Sequence, residues 1–339
     1  RDQLEAGPGP ARDRLPRPHQ PLPVSEINNK GSITYTEILT SSPGAQRTDK
    51  DGSRRFTPVN YSFDTRAHIL DTVVEDDWEP AIREQWLGNI ASVREHLIHQ
   101  FGAEDHEQKI QNFTDLGTEP WSLVALHNVY LRQIRYAFVG MNYYPALLGA
   151  CGLGERILNQ LVLTLRADYA NHEATKHVAT QQSIDKWDKC IRALTEWGLF
   201  TADVASDYRK LMKLRHGAVH YRSELDSGDA REPALAAVLL LGKIIQEVFT
   251  PIGNRPFYFA GPIGRAYVQL EAESEPFVKH FVLPACALVS PIYRFHANSA
   301  TPGGFDVYDD EDYGATDPAL SDAEFADPSR ASPQVPMPF

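Results

Sequence analysis

Residues 211–222 read Leu-Met-Lys-Leu-Arg-His-Gly-Ala-Val-His-Tyr-Arg, and Arg215, His216 and His220 form the chemical centre of this stretch. A histidine has an unperturbed pKa of about 6.5, so it can give or take a proton at neutral pH. An arginine is a permanent cation whose planar fork suits phosphate oxygens. Because the ribose 2′-OH of RNA supplies the nucleophile, proton transfer and charge stabilisation suffice for cleavage. The residue types in this stretch therefore suffice for RNA cleavage.

The spacing of these residues leaves a second chemistry open. Arg215 and His220 are five positions apart, roughly 140° around a helix, so they do not share a face. Gly217 lies between them and weakens the helix by about 1 kcal/mol relative to alanine. His216 and His220 are four apart and do share a face, which is the spacing of a metal-ligand pair. A third ligand would then have to come from a distant residue such as His172.

The elements around the motif follow a helical order. Apolar residues at spacings of three and four predict helices over residues 76–100, 121–139, 143–169 and 234–249. Two more are predicted between these: one is capped by Ser183 and ended by Gly198, and the next is capped by Thr201 and ends in the motif. Residues 171–182 are polar and predict a loop. The order within residues 121–250 resembles a HEPN domain (higher eukaryotes and prokaryotes nucleotide-binding): two long helices, a polar loop, a shorter helix, a helix ending in the motif, and a closing apolar helix. The resemblance implies a mainly α fold, a HEPN-like helical bundle.

The same resemblance implies roles for individual residues. Arg215 and His220 correspond to the family's catalytic pair, and His216 to its intervening polar position. Glu155 corresponds to the acidic partner that orients the arginine. The candidates for substrate binding are polar residues near these positions: Asn159, Arg156, Lys213, Arg222 and Tyr221.

HEPN nucleases usually act as homodimers in which two motifs face one scissile phosphate. The expected activity is therefore a metal-independent endoribonuclease without cofactors, acting on RNA by 2′-OH attack and leaving a 2′,3′-cyclic phosphate. Family members serve as toxins or antiviral-defence effectors. The alternative is a catalytically silent HEPN module that binds RNA or a partner protein. A structural helical protein, in which both histidines only pack near a helix end, also stays open.

The net charge of −12 is unevenly distributed. From residue 298 onward there are nine acids and one arginine, giving −8 and leaving −4 for the other residues. Around the motif, five bases form a cluster where a phosphate backbone could bind: Arg209, Lys210, Lys213, Arg215 and Arg222. A solvated helix face explains the same pattern. The acidic tail could occupy this cluster, or it could serve only solubility.

Composition predicts five regions. Residues 1–60 form a Pro-rich extended arm, 61–118 an N-terminal helical segment, 119–250 the HEPN-like core, 251–297 a small β appendage and 298–339 an acidic Pro-rich tail. β-branched and aromatic residues predict one short strand in the arm, at 33–39, and strands in the appendage at 257–259, 266–270, 277–283 and 287–294. The arm and the tail are candidate binding segments for a regulatory protein partner. Three cysteines without a CxxC pair, no signal-like opening segment and no long apolar run predict a cytoplasmic protein without a membrane partner.

Overall fold

The computed structural model describes residues 53–58, 64, 66–183, 186–219, 230–250, 258, 266–290, 294–297, 305–308 and 320–326. Within these ranges the chain is mainly helical, which confirms the predicted fold class at that level. The helices are α1 (Arg66–Asp71), α2 (Pro80–Phe101), α3 (His106–Asp115), α4 (Ala125–Val139), α5 (Tyr143–Leu165), α6 (Trp187–Glu196), α7 (Ala202–Val219), α8 (Arg231–Phe249) and α9 (Asp322–Ala326). None of them is long and apolar enough to cross a bilayer.

The core is built around α5, which packs against α4, α6, α7 and α8. Its sequence explains this central position, because apolar and small residues recur on most sides of the helix rather than on one stripe. Eleven of its residues are buried: Ala146, Leu147, Ala150, Cys151, Leu153, Gly154, Ile157, Leu158, Leu161, Val162 and Leu165. The polar residues of α5 are therefore confined to the narrow sectors between its neighbours.

The long amphipathic helix predicted over residues 76–100 is confirmed as α2, but its apolar stripe is only partly covered. Val93 and Leu97 are the buried side chains of this helix. Ile82, on the same stripe, is 44% exposed, and Trp86 is half-buried against Trp78. α1 and α3 pack against α2, and they cover its second half.

The β part of the molecule departs from the predicted strands. Strand β1 (Arg55–Pro58) pairs antiparallel with β2 (Cys286–Val289), and β3 (Arg294–Ala297) pairs antiparallel with β4 (Phe305–Tyr308). The end of the predicted arm and part of the predicted tail thus join the sheets of the appendage. The possible strand at residues 33–39 lies outside the described residues.

One predicted strand, residues 277–283, is wrong. This segment is helical, with a π turn at Val278–Val282 and a 3-10 turn at Leu283–Ala285. Phe277 and Phe281 are four positions apart, stack on each other with centroids 5.4 Å apart, and both contact Phe249 of α8. The burial of two rings on one helical face outweighs the local β propensity of the segment.

The tail contains a segment that packs on the body. Phe325 of α9 is buried and its ring contacts Tyr267. Asp322 forms an ion pair at 2.8 Å with Arg55, whose side chain is fully buried. Residues 320–326 therefore dock on β1 and its surroundings, and this contact uses a cation outside the cluster around Arg215.

Candidate functional site

Arg215 of α7 and Glu155 of α5 form an ion pair, with Nε and Oε2 3.0 Å apart. The side chains are 26% and 28% exposed, respectively. The pair thus lies at the surface of the helical core, where solvent or a ligand can reach it. A carboxylate beside a guanidinium fixes the orientation of the fork, which is the role predicted for Glu155.

The indole ring of Trp187 packs against the guanidinium of Arg215. Trp187 is buried at the start of α6, and the guanidinium carbon of Arg215 lies 5.8 Å from its ring centroid. A cation over an indole face is attracted by the ring quadrupole. Arg215 is thus held by a charge on one side and an aromatic ring on another, so its direction is fixed by two elements besides its own helix.

Gly154 allows α5 and α7 to approach closely enough for this arrangement. A Cβ at position 154 would lie 2.7 Å from Cδ2 of Leu211 and 3.5 Å from the ring of Trp187. The residue therefore adjoins the site on the core side, directly before Glu155. A larger side chain here would push α7, and with it Arg215, away from Glu155.

Two cysteines near the pair are structural. Burial raises the pKa of the Cys151 thiol to about 11 and that of the Cys190 thiol to about 12. A thiol becomes a strong nucleophile only as the thiolate. Neither residue is therefore suited to nucleophilic catalysis at neutral pH.

His216 and Lys213 lie on the outer side of α7. Both are exposed, and they share a face at a spacing of three, whereas Arg215 is turned toward α5. Tyr144 of α5 donates a hydrogen bond from its hydroxyl to the carbonyl oxygen of Ala218, 3.2 Å away. The last described turn of α7 is therefore tied to the start of α5.

Most of the predicted basic cluster contacts acidic residues. Lys210 lies 2.7 Å from Asp207, and Arg209 lies 3.8 Å from Asp188. Arg215 is paired with Glu155. Of the four cluster members among the described residues, three thus have a carboxylate beside them, which weakens their attraction for an external phosphate.

Asn159 and Arg156 occupy different surroundings from Glu155. The side-chain amide of Asn159 donates to the carbonyl oxygen of Glu155, 3.1 Å away, one turn earlier. The guanidinium of Arg156 lies 5.6 Å from the ring centroid of Tyr130 on α4. It lines a cavity of about 390 Å³ between α4 and α5, together with Gln133 and Gly152. Asn159 therefore lies beside Glu155, whereas Arg156 lines the separate cavity between α4 and α5.

His220, Tyr221 and Arg222 lie outside the described residues. Within the described ranges, no group of three or more His, Cys, Asp or Glu residues is arranged to hold a metal ion. The site as far as it is described therefore consists of Arg215, Glu155 and the residues that hold them.

Another histidine, His127, lies beside a serine hydroxyl, but a substrate cannot reach it. Nδ1 of His127 lies 3.1 Å from Oγ of Ser122, and both side chains are buried. Nε2 of His127 lies 3.4 Å from Oε1 of Gln160, and its ring contacts Phe249. Burial lowers the pKa of His127 to about 4. This pair holds α4 to the core as a neutral group.

Three supporting residues were not singled out by sequence reasoning: Trp187, Gly154 and Tyr144. Trp187 and Gly154 carried a signal only as members of apolar helical faces, since their spacing is that of core residues. Nothing in the pattern showed that they border Arg215. Their contribution depends on how α5, α6 and α7 meet, and local periodicity does not encode those distances.

No family model matches the chain, and neither a curated protein nor a solved structure matches it. The functional assignment therefore depends on the side chains described above, in particular Arg215 and Glu155.

Proposed function

We propose that this protein is a metal-independent endoribonuclease of the HEPN type. The observation that carries the proposal is the ion pair of Arg215 and Glu155, formed between two helices and a quarter exposed. The resemblance predicts this pairing from residues 60 positions apart in the chain. An arginine fork has five N–H donors, so a contact through Nε leaves donors for a phosphate.

The reaction would begin at the ribose 2′-OH. A histidine takes the 2′-OH proton, the 2′-oxygen attacks phosphorus, and the bond from phosphorus to the 5′-oxygen breaks as a second acid gives that oxygen a proton. The products are a 2′,3′-cyclic phosphate and a 5′-hydroxyl. His220 is the candidate for the proton transfers, and Arg215 would stabilise the charge that develops on the phosphorane. Glu155 acts as a positioning residue for Arg215.

A homodimer through the helical core would supply both proton-transfer groups. In that arrangement two copies of His220 approach one phosphate, one as base and the other as acid. The resemblance also implies the biological setting, a toxin or antiviral-defence effector. The cysteine content and the lack of a long apolar run in the sequence favour the cytoplasm. The Pro-rich arm and the acidic tail are the candidate segments for binding a regulatory protein partner. No step needs a metal or another cofactor.

One observation favours the alternative, a catalytically silent module. The contacts of Lys210 with Asp207 and of Arg209 with Asp188 neutralise part of the surface that RNA would approach. Together with the net charge of −12, they favour a protein partner over a nucleic acid. In this case Arg215 and Glu155 would serve to hold α7 against α5.

Cleavage of labelled single-stranded RNA and tRNA in EDTA distinguishes the two functions. We expect the parent protein to leave 2′,3′-cyclic phosphate ends, and Arg215→Ala and His220→Ala each to lose cleavage by at least about 100-fold, the usual scale for an electrostatic or acid–base group. Arg192→Ala is the matched control, because it removes an exposed arginine from the adjacent helix α6. Cleavage that survives Arg215→Ala contradicts the proposal. An inactive parent that still binds a protein partner supports the silent module.

A further inference from the structure

The first half of α2 has an apolar stripe that the described residues leave open. Ile82, Trp86 and Ile90 follow one another at spacings of four, and the stripe continues into the buried Val93 and Leu97. The stripe therefore belongs to the core at its C-terminal end and to the surface at its N-terminal end. A stripe of this length is expected to be buried against another element.

The stripe is symmetric about Trp86. Ile82 lies four residues before it and Ile90 four residues after it. In two antiparallel copies of α2 crossing at Trp86, Ile82 of each copy faces Ile90 of the other and the two indoles meet at the centre. Such a self-complementary patch is what an isologous two-fold contact requires.

Charge determines the direction of the pairing. Four acids directly precede the helix: Glu75, Asp76, Asp77 and Glu79. The second half carries one base, Arg94, one acid, Glu95, and the two histidines His96 and His99. A parallel pair would bring four acids against four acids. An antiparallel pair avoids this repulsion, because each acidic end lies beside the other copy's second half, where Arg94 already pairs with Glu107 of α3. It also opposes the two helix dipoles.

We propose that α2 pairs with α2 of a second copy of this chain, antiparallel and centred on Trp86. This contact lies outside residues 121–250, so it is distinct from the core dimer of the proposed function and does not depend on it. The overlap covers residues 80–92 of each copy, or roughly 20 Å of helix. Its area falls in the low range for specific interfaces, below about 1,200 Å² in total, so the pairing is weak and depends on concentration.

Where both contacts form, each copy has two different two-fold interfaces. Two such interfaces on one chain close into a tetramer of dihedral symmetry or continue as a linear array. The α2 contact thus gives a nuclease dimer a way to assemble further without covering the surface around Arg215.

Sedimentation velocity of the full chain over a range of micromolar concentrations tests the contact. Ile82→Glu places a charge in the stripe at a residue that is 44% exposed, so the fold is retained. We expect this variant to lose one association step, halving the mass at high concentration and weakening the association by at least about tenfold. The matched control is Leu87→Glu, which is 51% exposed but lies about 100° away from Trp86 around the helix. Equal masses for the parent and Ile82→Glu, or an equal loss in Leu87→Glu, overturn the proposal.

Disulfide crosslinking tests the direction. The native cysteines are all buried and free, so they contribute little background. The double variant Ile82→Cys with Ile90→Cys should form a covalent dimer, because each cysteine faces its counterpart on the other copy. It cannot close within one helix, since eight residues span about 12 Å, beyond disulfide reach. Neither single variant should crosslink, and efficient crosslinking of Ile82→Cys by itself would contradict the antiparallel direction.

These two experiments measure mass and crosslinking, whereas the proposed function is measured by RNA cleavage. Ile82→Glu should keep the cleavage activity of the parent at low protein concentration. A failure of the α2 contact and a failure of the nuclease assignment are therefore distinguishable.

Discussion

α5 packs against α7 along one contact, called here the α7 seam, and against α4 along another, the α4 seam. A glycine of α5 allows close helix packing at each seam, but the two seams differ in what lies beside that glycine. At the α7 seam, a Cβ on Gly154 would lie 2.7 Å from Leu211; at the α4 seam, a Cβ on Gly149 would lie 2.8 Å from Ile134. Both contacts need glycine. The α7 seam is closed and carries an ion pair at its surface, whereas the α4 seam opens into a cavity of about 390 Å³.

The two seams divide adjacent residues of one helix. Glu155 is held by Arg215 at the α7 seam, and Arg156, the next residue, lies over Tyr130 at the α4 seam. Successive side chains of a helix point in directions about 100° apart. Two residues that a sequence motif would group together therefore contribute to different surfaces, and the seam that a side chain faces determines its chemistry.

The largest expected effect concerns the α4 seam, where His127 is buried and neutral. Its folded pKa is about 4 against 6.5 for a free histidine. Between these values the unfolded chain binds a proton that the folded chain does not. Stability is then complete above about pH 6.5 and falls as the pH drops toward 4, by about 3 kcal/mol. Urea unfolding at several pH values in this window should show the loss.

Two variants isolate His127 in that experiment. His127→Gln should be less stable at pH 7 but should have a shallower acid dependence, because the titrating ring is gone. Ser122→Ala removes the hydroxyl next to Nδ1 yet keeps the ring, so it should lose stability at all pH values and retain the slope. Identical slopes for the parent and His127→Gln would show that other groups cause the acid sensitivity.

The next effect compares glycines on one helix. Gly154→Ala should destabilise the protein by about 1–2 kcal/mol, because overpacking against Leu211 exceeds the gain of about 1 kcal/mol in helix propensity. Gly152 borders the cavity and has no atom within 4 Å of a Cβ, so Gly152→Ala should be stabilising by up to about 1 kcal/mol. Thermal and urea unfolding measure both. Equal stability of the two variants would mean that Leu211 moves aside at little cost and that the α7 seam is not tight.

The sequence predicted which residues are helical better than it predicted what the helices contact. Spacings of three and four located α2, α5 and α8, since periodicity is a local property. The approach of Glu155 to Arg215 was available from the family resemblance. The contact of Arg215 with the ring of Trp187 could not be predicted from the sequence, because it depends on the distance between α6 and α7.

Long-range pairing explains the errors in the β region. Residues 277–283 have the composition of a strand, but the contacts of Phe277 and Phe281 with Phe249 select a helix. β1 and β2 pair although more than 200 residues separate Arg55 from Val289. Neither the partner nor the register of such a pair is encoded in a local pattern. The docking of Phe325 is non-local in the same way.

The smallest expected effect is the coupling across the α7 seam itself. A double-mutant cycle of Glu155→Gln and Arg215→Gln, measured by urea unfolding, should give a coupling free energy of about 0.5–1 kcal/mol, because both side chains are partly exposed and solvent screens the pair. The coupling should fall toward zero at about 1 M salt, where the screening length is only about 3 Å. The difference between Gly154→Ala and Gly152→Ala should not change with salt, since it is steric. A coupling that persists undiminished at high salt would mean that packing on Trp187, rather than the charge of Glu155, holds Arg215 in place, and the orienting role would pass from the carboxylate to the indole.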